Sequence, residues 1–147
     1  MKYTDKWWSY PAESESGRTI IVTGRDCIDE YRESGRYNYR IDVVWAYNQL
    51  PDGMPEDGDA RLMEEVTDAL LDAFKKDRVA VVTGIYTGDG KRDWVMYTKN
   101  LAIFSKVFNK ALEDLPTVPF VIDAEEDAGW EEYLHMRSET YVPDEEG

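Results

Sequence analysis

The side chains that could support catalysis are few and widely separated in this sequence. His135 is the only histidine and Cys27 the only cysteine. A Ser-His-Asp triad could therefore be built only around His135, and a Cys–His nucleophilic pair only from these two residues. Cys27 lies in a charged stretch without a catalytic signature. Glu131 lies four residues before His135 and could pair with that histidine on one helix face. A plain free thiol and a surface histidine are the favoured interpretations, so no catalytic residue is predicted.

One acidic loop contains the residue types that bind a hard cation. Oxygen ligands suit calcium, but this loop follows neither the spacing of an EF-hand nor its bidentate glutamate. One histidine and one cysteine cannot form a structural zinc site. A solvated acidic loop before a helix is favoured, and the sequence predicts no metal and no cofactor. The carboxylates and glycines of this loop are Asp52, Glu56, Asp57, Asp59, Gly53 and Gly58.

The sequence between Val79 and Tyr97 is the clearest structural signal in the chain. Two apolar runs flank Gly88-Asp89-Gly90, and an Asp-Gly pair between such runs is a strong signal for a β-hairpin. The glycines and Lys91 also suggest phosphate binding, but the Walker spacing is missing and the segment joins two strands instead of opening a helix. A hairpin turn is predicted.

Charged and aromatic residues beside this turn are the predicted site for a ligand or a partner. Arg92, Asp93 and Trp94 follow the turn directly and could line the edge of a groove together with Tyr86. The alternative for Arg92 and Asp93 is a local ion pair that contributes under about 1 kcal/mol. Aromatic residues left exposed would concentrate binding energy. The predicted site residues are Tyr86, Arg92, Asp93, Trp94, Trp130 and Tyr133.

Hydrophobic periodicity predicts the elements that would hold these residues. Alternating apolar residues predict a strand over 39–47, and Trp7 and Trp8 should point to opposite faces of theirs. Asp59 is predicted to cap the start of one helix. Asn100 is predicted to cap the start of a second helix, and Pro116 to end it. The remaining predictions are a hairpin from strands 7–12 and 18–24, a loop or short helical turn over 26–35, a strand over 120–122 and a closing helical turn over 130–135. The two apolar helix stripes are Leu62, Val66, Leu70, Ala73 and Phe74, then Leu101, Phe104, Phe108, Ala111, Leu112 and Leu115.

The order of these elements indicates an α+β fold. From residue 36 to 123 it is strand, helix, strand, strand, helix, strand, which predicts a ferredoxin-like two-layer sandwich (βαββαβ). A single domain of 1–147 is predicted, comprising an N-terminal β-hairpin region (1–35), the core (36–123) and a C-terminal tail (124–147) with a short helical turn. Two helices would cover one sheet face. The other face must be solvated, covered by the tail or buried in a partner.

Composition narrows the classes of partner. The chain has 31 acidic and 17 basic residues in 147, a net charge of −14. Such a surface repels phosphate backbones and favours basic partners, so no nucleic acid is expected. No apolar run is long enough to cross a bilayer, and the start has no signal-like apolar region. The expected location is cytoplasmic.

Three motifs occur together in this chain. They are Leu50-Pro51-Asp52-Gly53-Met54-Pro55, a Gly-x-x-Thr-x-x-Gly-x-Arg-Asp-aromatic pattern met by Gly84, Thr87, Gly90, Arg92, Asp93 and Trp94, and an Asp-x-x-Trp-x-x-Tyr pattern met by Asp127, Trp130 and Tyr133. Together they resemble the bacterial domain-of-unknown-function family 695, over about residues 7–141. This resemblance implies a small α+β domain with no assigned activity. A more distant resemblance, to the acidic bacterial regulator of ribonuclease E activity B, implies action by binding an enzyme.

Three functional hypotheses follow. The favoured one is a non-catalytic acidic domain that binds or regulates a protein partner with a basic surface. The alternative is a small-molecule-binding module or enzyme with a pocket around Tyr86, Arg92, Asp93 and Trp94, to which His135 could contribute. Homo-oligomerisation through the open sheet face could accompany either role.

Overall fold

The computed structural model describes residues 5–143, which form a six-stranded antiparallel sheet and four helices. The strand order across the sheet is β1-β2-β4-β5-β3-β6. This is the predicted α+β class, with a sheet enlarged by the N-terminal hairpin. The elements in chain order are β1 (Trp7–Glu13), β2 (Thr19–Arg25), α1 (Asp29–Glu33), β3 (Tyr39–Ala46), α2 (Asp57–Lys76), β4 (Ala80–Gly88), β5 (Lys91–Thr98), α3 (Leu101–Ala111), β6 (Val121–Glu126) and α4 (Glu131–Thr140).

The predicted β4–β5 hairpin is confirmed. Gly88 pairs with Lys91, which leaves Asp89 and Gly90 as a two-residue turn. Their φ angles are +52° and +88°, the left-handed values that such a turn requires and that explain the glycine. A register shift between Val82 and Gly84 inserts one extra residue in β4. The hairpin lies at the centre of the sheet, so it contributes side chains to both faces.

The first face of the sheet is covered by α2 and α3 and forms the main apolar core. Ile41, Val43 and Trp45 of β3 pack there, as their alternation predicts. Trp7 packs against this core while Trp8 enters the cluster on the opposite face, so the predicted divergence of the two rings is confirmed. Helix α2 also buries Met63, which the predicted stripe did not include.

The second face is covered by α1 and α4 over part of β1, β2, β4 and β5. A second buried cluster joins Ile28 and Tyr31 from the α1 region to Trp130, Tyr133 and Met136 at α4. The expectation of an open face therefore holds only in part, beside β3 and β6 and at a depression over β1, β2, β4 and β5.

Several predicted boundaries were wrong. Helix α2 begins at Asp57 after Glu56, whose carbonyl accepts from the Ala60 amide at 2.9 Å, so Asp59 lies in the first turn and is not the cap. Asn100 does cap α3, since its side chain accepts from the Ile103 amide at 2.9 Å. That helix ends at Ala111, before Pro116, because Leu112 leaves helical geometry. Strand β6 and helix α4 are both longer than predicted.

Candidate functional site

A depression on the second face is the first candidate site. Tyr86 and Asp93 lie directly opposite each other in the β4–β5 register and project to this face. The depression has a volume of about 290 Å³. Its lining is mainly apolar. Besides Tyr86 and Asp93, the residues that line it are Ala12, Ile20, Val22, Gly88 and Lys91.

Asp93 is the most unusual group in this depression. Its Oδ1 atom is buried and has no hydrogen-bond partner among residues 5–143. Burial, followed by the charge of Asp42 and its hydrogen bond, raises the pKa of Asp93 to about 8. The carboxyl group therefore keeps its proton at neutral pH and can donate it to Asp42.

Tyr86 connects the depression to α4. Its hydroxyl donates to Oε1 of Glu132 at 2.5 Å. Burial, followed by the Glu132 carboxylate, raises the pKa of Tyr86, so the phenol stays protonated. Burial also raises the pKa of Glu132, whose second oxygen is buried without a hydrogen-bond partner among the described residues. Two carboxyl groups with unused acceptors thus lie beside the depression.

Asp127 holds the start of α4 against the sheet. Its Oδ1 accepts from the Glu131 amide at 2.9 Å, and its Oδ2 accepts from the Tyr97 hydroxyl at 2.7 Å. Arg40 lies 3.5 Å from the same carboxylate. Burial alone would raise the pKa of Asp127, but the hydrogen bond from Tyr97 and those from the helix amides lower it below its usual value. Asp127 therefore acts as an ionised cap of the helix.

Trp130 and Tyr133 fasten the same helix by packing. Both are almost completely buried. The Trp130 ring stacks on Tyr97 at 4.3 Å between centroids, and its Nε1 donates to the Tyr37 carbonyl at 2.8 Å. The Tyr133 hydroxyl donates to the Arg25 carbonyl at 2.7 Å. The Asp-x-x-Trp-x-x-Tyr pattern thus fixes α4 on the sheet, and these two predicted site residues have packing roles.

Arg92 and Trp94 lie on the first face, away from Asp93. Trp94 is 0% exposed, and its Nε1 donates to Oγ1 of Thr67 at 2.8 Å. The Arg92 Nε donates to Oγ1 of Thr87 at 2.8 Å, and the guanidinium lies over the Trp94 ring. Neighbouring residues of a strand point to opposite faces, so Arg92 and Asp93 form no local pair. The structure therefore joins Tyr86 with Asp93 and separates both from Arg92 and Trp94.

Strand β6 is a second candidate site, which the sequence analysis did not identify. It is the last strand of the sheet, and within residues 5–143 it pairs only with β3. All six of its residues are exposed, including Val121 at 68% and Ile122 at 49%. It carries three carboxylates, those of Asp123, Glu125 and Glu126. The available signal was the alternation of Ile122 and Ala124 with Asp123 and Glu125.

Comparison with known proteins identifies the family. The match to the family of unknown function DUF695 covers residues 5–136. The chain belongs to DUF695. No curated protein and no solved structure matched it, so the resemblance to the regulator of ribonuclease E activity B has no support from these comparisons. Membership confirms the resemblance noted from the hairpin and closing motifs, and it assigns no activity.

The other candidate residues of this DUF695 chain do not converge. His135 lies exposed on α4, and Cys27 is exposed with a φ of +60°. Among residues 5–143, no group of three or more His, Cys, Asp or Glu side chains is placed to hold a metal ion. Within the same part of the chain, no helix has the length and hydrophobicity needed to span a membrane. The candidate sites are therefore the Tyr86–Asp93 depression and strand β6.

Proposed function

We propose that this DUF695 chain is a non-catalytic interaction or regulatory domain whose acidic surface binds a partner protein that has a basic surface. One observation carries the proposal: β6 is exposed on both faces and bears Asp123, Glu125 and Glu126 beside exposed Val121 and Ile122. The apolar side chains can form a contact with a partner from which water is excluded, while the neighbouring carboxylates select a partner of opposite charge. An internal strand would bury these residues.

The charge of the whole chain supports the same proposal. A net charge of −14 attracts basic surfaces over about 10 Å at moderate ionic strength and repels nucleic acid. A cytoplasmic location belongs to this proposal, as does a ferredoxin-like assignment for residues 36–123. The strand order β4-β5-β3-β6, with α2 and α3 as the connecting helices, supports that assignment.

Salt-dependent capture of a partner tests the proposed function. We expect the immobilised wild-type chain to retain a basic protein from a native lysate at low ionic strength and to release it at high salt. Asp123→Lys should abolish retention of that protein. Glu65→Lys is the matched control, because it makes the same charge change at an exposed position of α2, on another part of the surface. If retention survives Asp123→Lys, or if no basic protein is retained, the proposal fails.

A second candidate function, small-molecule binding, has an observation of its own. The unpartnered Asp93 Oδ1 atom lies beside a depression of about 290 Å³ whose other lining is mainly apolar. A compact ammonium compound would suit this combination, because an ammonium group stabilises the ionised carboxylate. Calorimetric titration with simple alkylamines tests this candidate. Binding should strengthen as the pH rises through about 8, and it should disappear in Asp93→Asn. The absence of binding at any pH contradicts it.

A further inference from the structure

We infer that the partner adds an extended strand to the outer edge of β6, and that this strand alternates basic and apolar residues. The inference rests on the proposed function and specifies how the partner is recognised. The occupant is a segment of another protein in which lysine or arginine occupies every second position.

The backbone edge of β6 is available for pairing. Strand β6 pairs with β3 on one side, from Val121 opposite Val44 to Glu126 opposite Tyr39. In the part of the chain that the structure describes, no strand pairs with its other side, which presents N–H and C=O groups of the kind used in strand addition. The opposite edge of the sheet differs. Strand β1 contains Pro11, which cannot donate, and Trp8, which is buried beneath α4.

The side of β6 that faces α3 offers an apolar groove. Ile122 and Ala124 project to this side, since they pair with Val43 and Ile41 of the main core. Leu101 on α3 completes an apolar margin and is itself 42% exposed. The groove has a volume of about 220 Å³. Every second side chain of an added strand would lie over it, and apolar residues at those positions would be desolvated.

The other side of β6 requires a basic neighbour. Asp123 lies directly opposite Asp42, and like charges in that relation destabilise a sheet. Arg40 contacts Asp42 at 3.2 Å and Glu125 at 2.6 Å, but it makes no ion pair with Asp123. A lysine or arginine beside Asp123 on an added strand would compensate this repulsion. Charge complementarity therefore predicts lysine or arginine at the alternate positions of the added strand that lie on this side of the sheet.

Two other occupants are disfavoured by charge. A second copy of the chain, paired through β6, would place Asp123 and Glu125 beside the same carboxylates of its neighbour. The C-terminal residues of the chain itself include Asp144, Glu145 and Glu146, which are also acidic. Both would add negative charge where Asp123 already faces Asp42. The occupant that the structure favours is a basic segment of a different protein.

Three labelled peptides of about seven residues test the inference by fluorescence anisotropy. In the first, valine and lysine alternate. The second has the same composition arranged as a valine block and a lysine block. The third repeats the first but carries N-methyl groups on the amides of one edge, which removes the donors of a strand pairing. We expect the alternating peptide to bind at least about tenfold more tightly than either control.

Variants of β6 test the assignment of each face. Asp123→Lys and Ile122→Asp should each weaken binding of the alternating peptide by about tenfold or more. The first variant reverses the charge on the charged side of β6, and the second places a charge on its apolar side. Both positions are exposed, so both variants should fold. Glu65→Lys again serves as the control for charge and should bind the peptide like wild type. Amide protection in β6 should rise on binding.

The outcomes separate the inference from the proposed function. Equal binding of the block peptide or of the N-methylated peptide would overturn strand addition, while capture of a basic protein at an Asp123-dependent surface would still hold. Binding of none of the peptides would overturn the inference as well. Loss of Asp123-dependent capture would remove the proposed function itself. A dimeric wild-type chain whose mass falls in Ile122→Asp would assign the edge to a second copy and contradict the inference.

Discussion

The two faces of the sheet are both buried, but they are held by different forces. On the first face, Trp94 packs among the apolar side chains of α2 and α3 and donates to Thr67. On the second face, Trp130 is equally buried, yet its surroundings include Tyr97, Asp127 and backbone carbonyls. The first face is therefore stabilised mainly by removal of apolar area from water. The second depends on hydrogen-bond geometry and on protonation.

This difference explains why the faces should respond differently to substitution and to pH. Dispersion and hydrophobic contacts on the first face do not change with pH. On the second face, Asp93 keeps a proton and Asp127 loses one, so each carboxyl group has the charge state that its partners require. A change of pH therefore alters the charges on which this second set of contacts depends.

The largest expected loss of stability is on the first face. Trp94→Ala removes a fully buried indole and should lower the free energy of unfolding by about 3–5 kcal/mol. Urea denaturation followed by far-UV circular dichroism measures the change. Trp94→Phe is the matched control and should cost clearly less. A loss below about 1 kcal/mol for the alanine variant would show that this face does not dominate stability.

Removal of the α4 cap should have the next largest effect. Asp127→Ala deletes the acceptor of the Glu131 amide and of the Tyr97 hydroxyl, and it should cost about 2–3 kcal/mol. Hydrogen exchange should show the greatest loss of protection in α4, with α2 much less affected. Glu131→Ala serves as the control because that side chain is exposed. Equal loss of protection in both helices would mean that the faces unfold as one unit.

The pH dependence of stability isolates Asp93. The pKa of Asp93 is about 8 in the folded chain, against 3.8 for an unperturbed aspartate, so the folded state binds one extra proton between these two pH values. The contribution of Asp93 to the free energy of unfolding is therefore fully present at low pH and is lost as the pH rises from about 4 to 8. We expect Asp93→Asn to be more stable than wild type by about 1–2 kcal/mol near pH 9, with a smaller difference near pH 5. Parallel profiles of the two proteins would contradict this assignment.

The smallest expected effect is at the uncovered edge. Ile122→Ser should change the free energy of unfolding by less than about 0.5 kcal/mol, because the side chain is already 49% exposed. Val43→Ser, at the paired position of β3, is the buried comparison and should cost several times more. A large effect of Ile122→Ser in the isolated chain would mean that β6 is covered in solution.

The elements of the first face could be predicted because their signals are local. Alternation identifies β3, Asp-Gly identifies the β4–β5 turn, and Asn100 marks the start of α3. Helix α4 could be predicted only as a short turn, because it lacks an apolar stripe and is held by contacts with residues far away in sequence. The Tyr86–Glu132 hydrogen bond is an example.

The candidate sites were less predictable for a related reason. Strand alternation alone separates Asp93 from Arg92 and Trp94, but the register of the hairpin is needed to show that Tyr86 lies on the side of Asp93. The exposure of β6 was missed because it depends on the position of the strand in the sheet. That position is set by long-range pairing, which no local pattern encodes.

The position of β3 between β5 and β6 also has a consequence for synthesis on the ribosome. Strand β3 ends at Ala46. Of its two partner strands, β5 is synthesised first, and it is complete only at Thr98. At roughly 5–20 residues per second, this interval leaves β3 unpaired for roughly 3–10 seconds. During that time Ile41, Val43 and Trp45 have no sheet to join. The nascent chain therefore exposes an aggregation-prone segment, and chaperone binding to a ribosome-stalled chain should peak between completion of β3 and completion of β5.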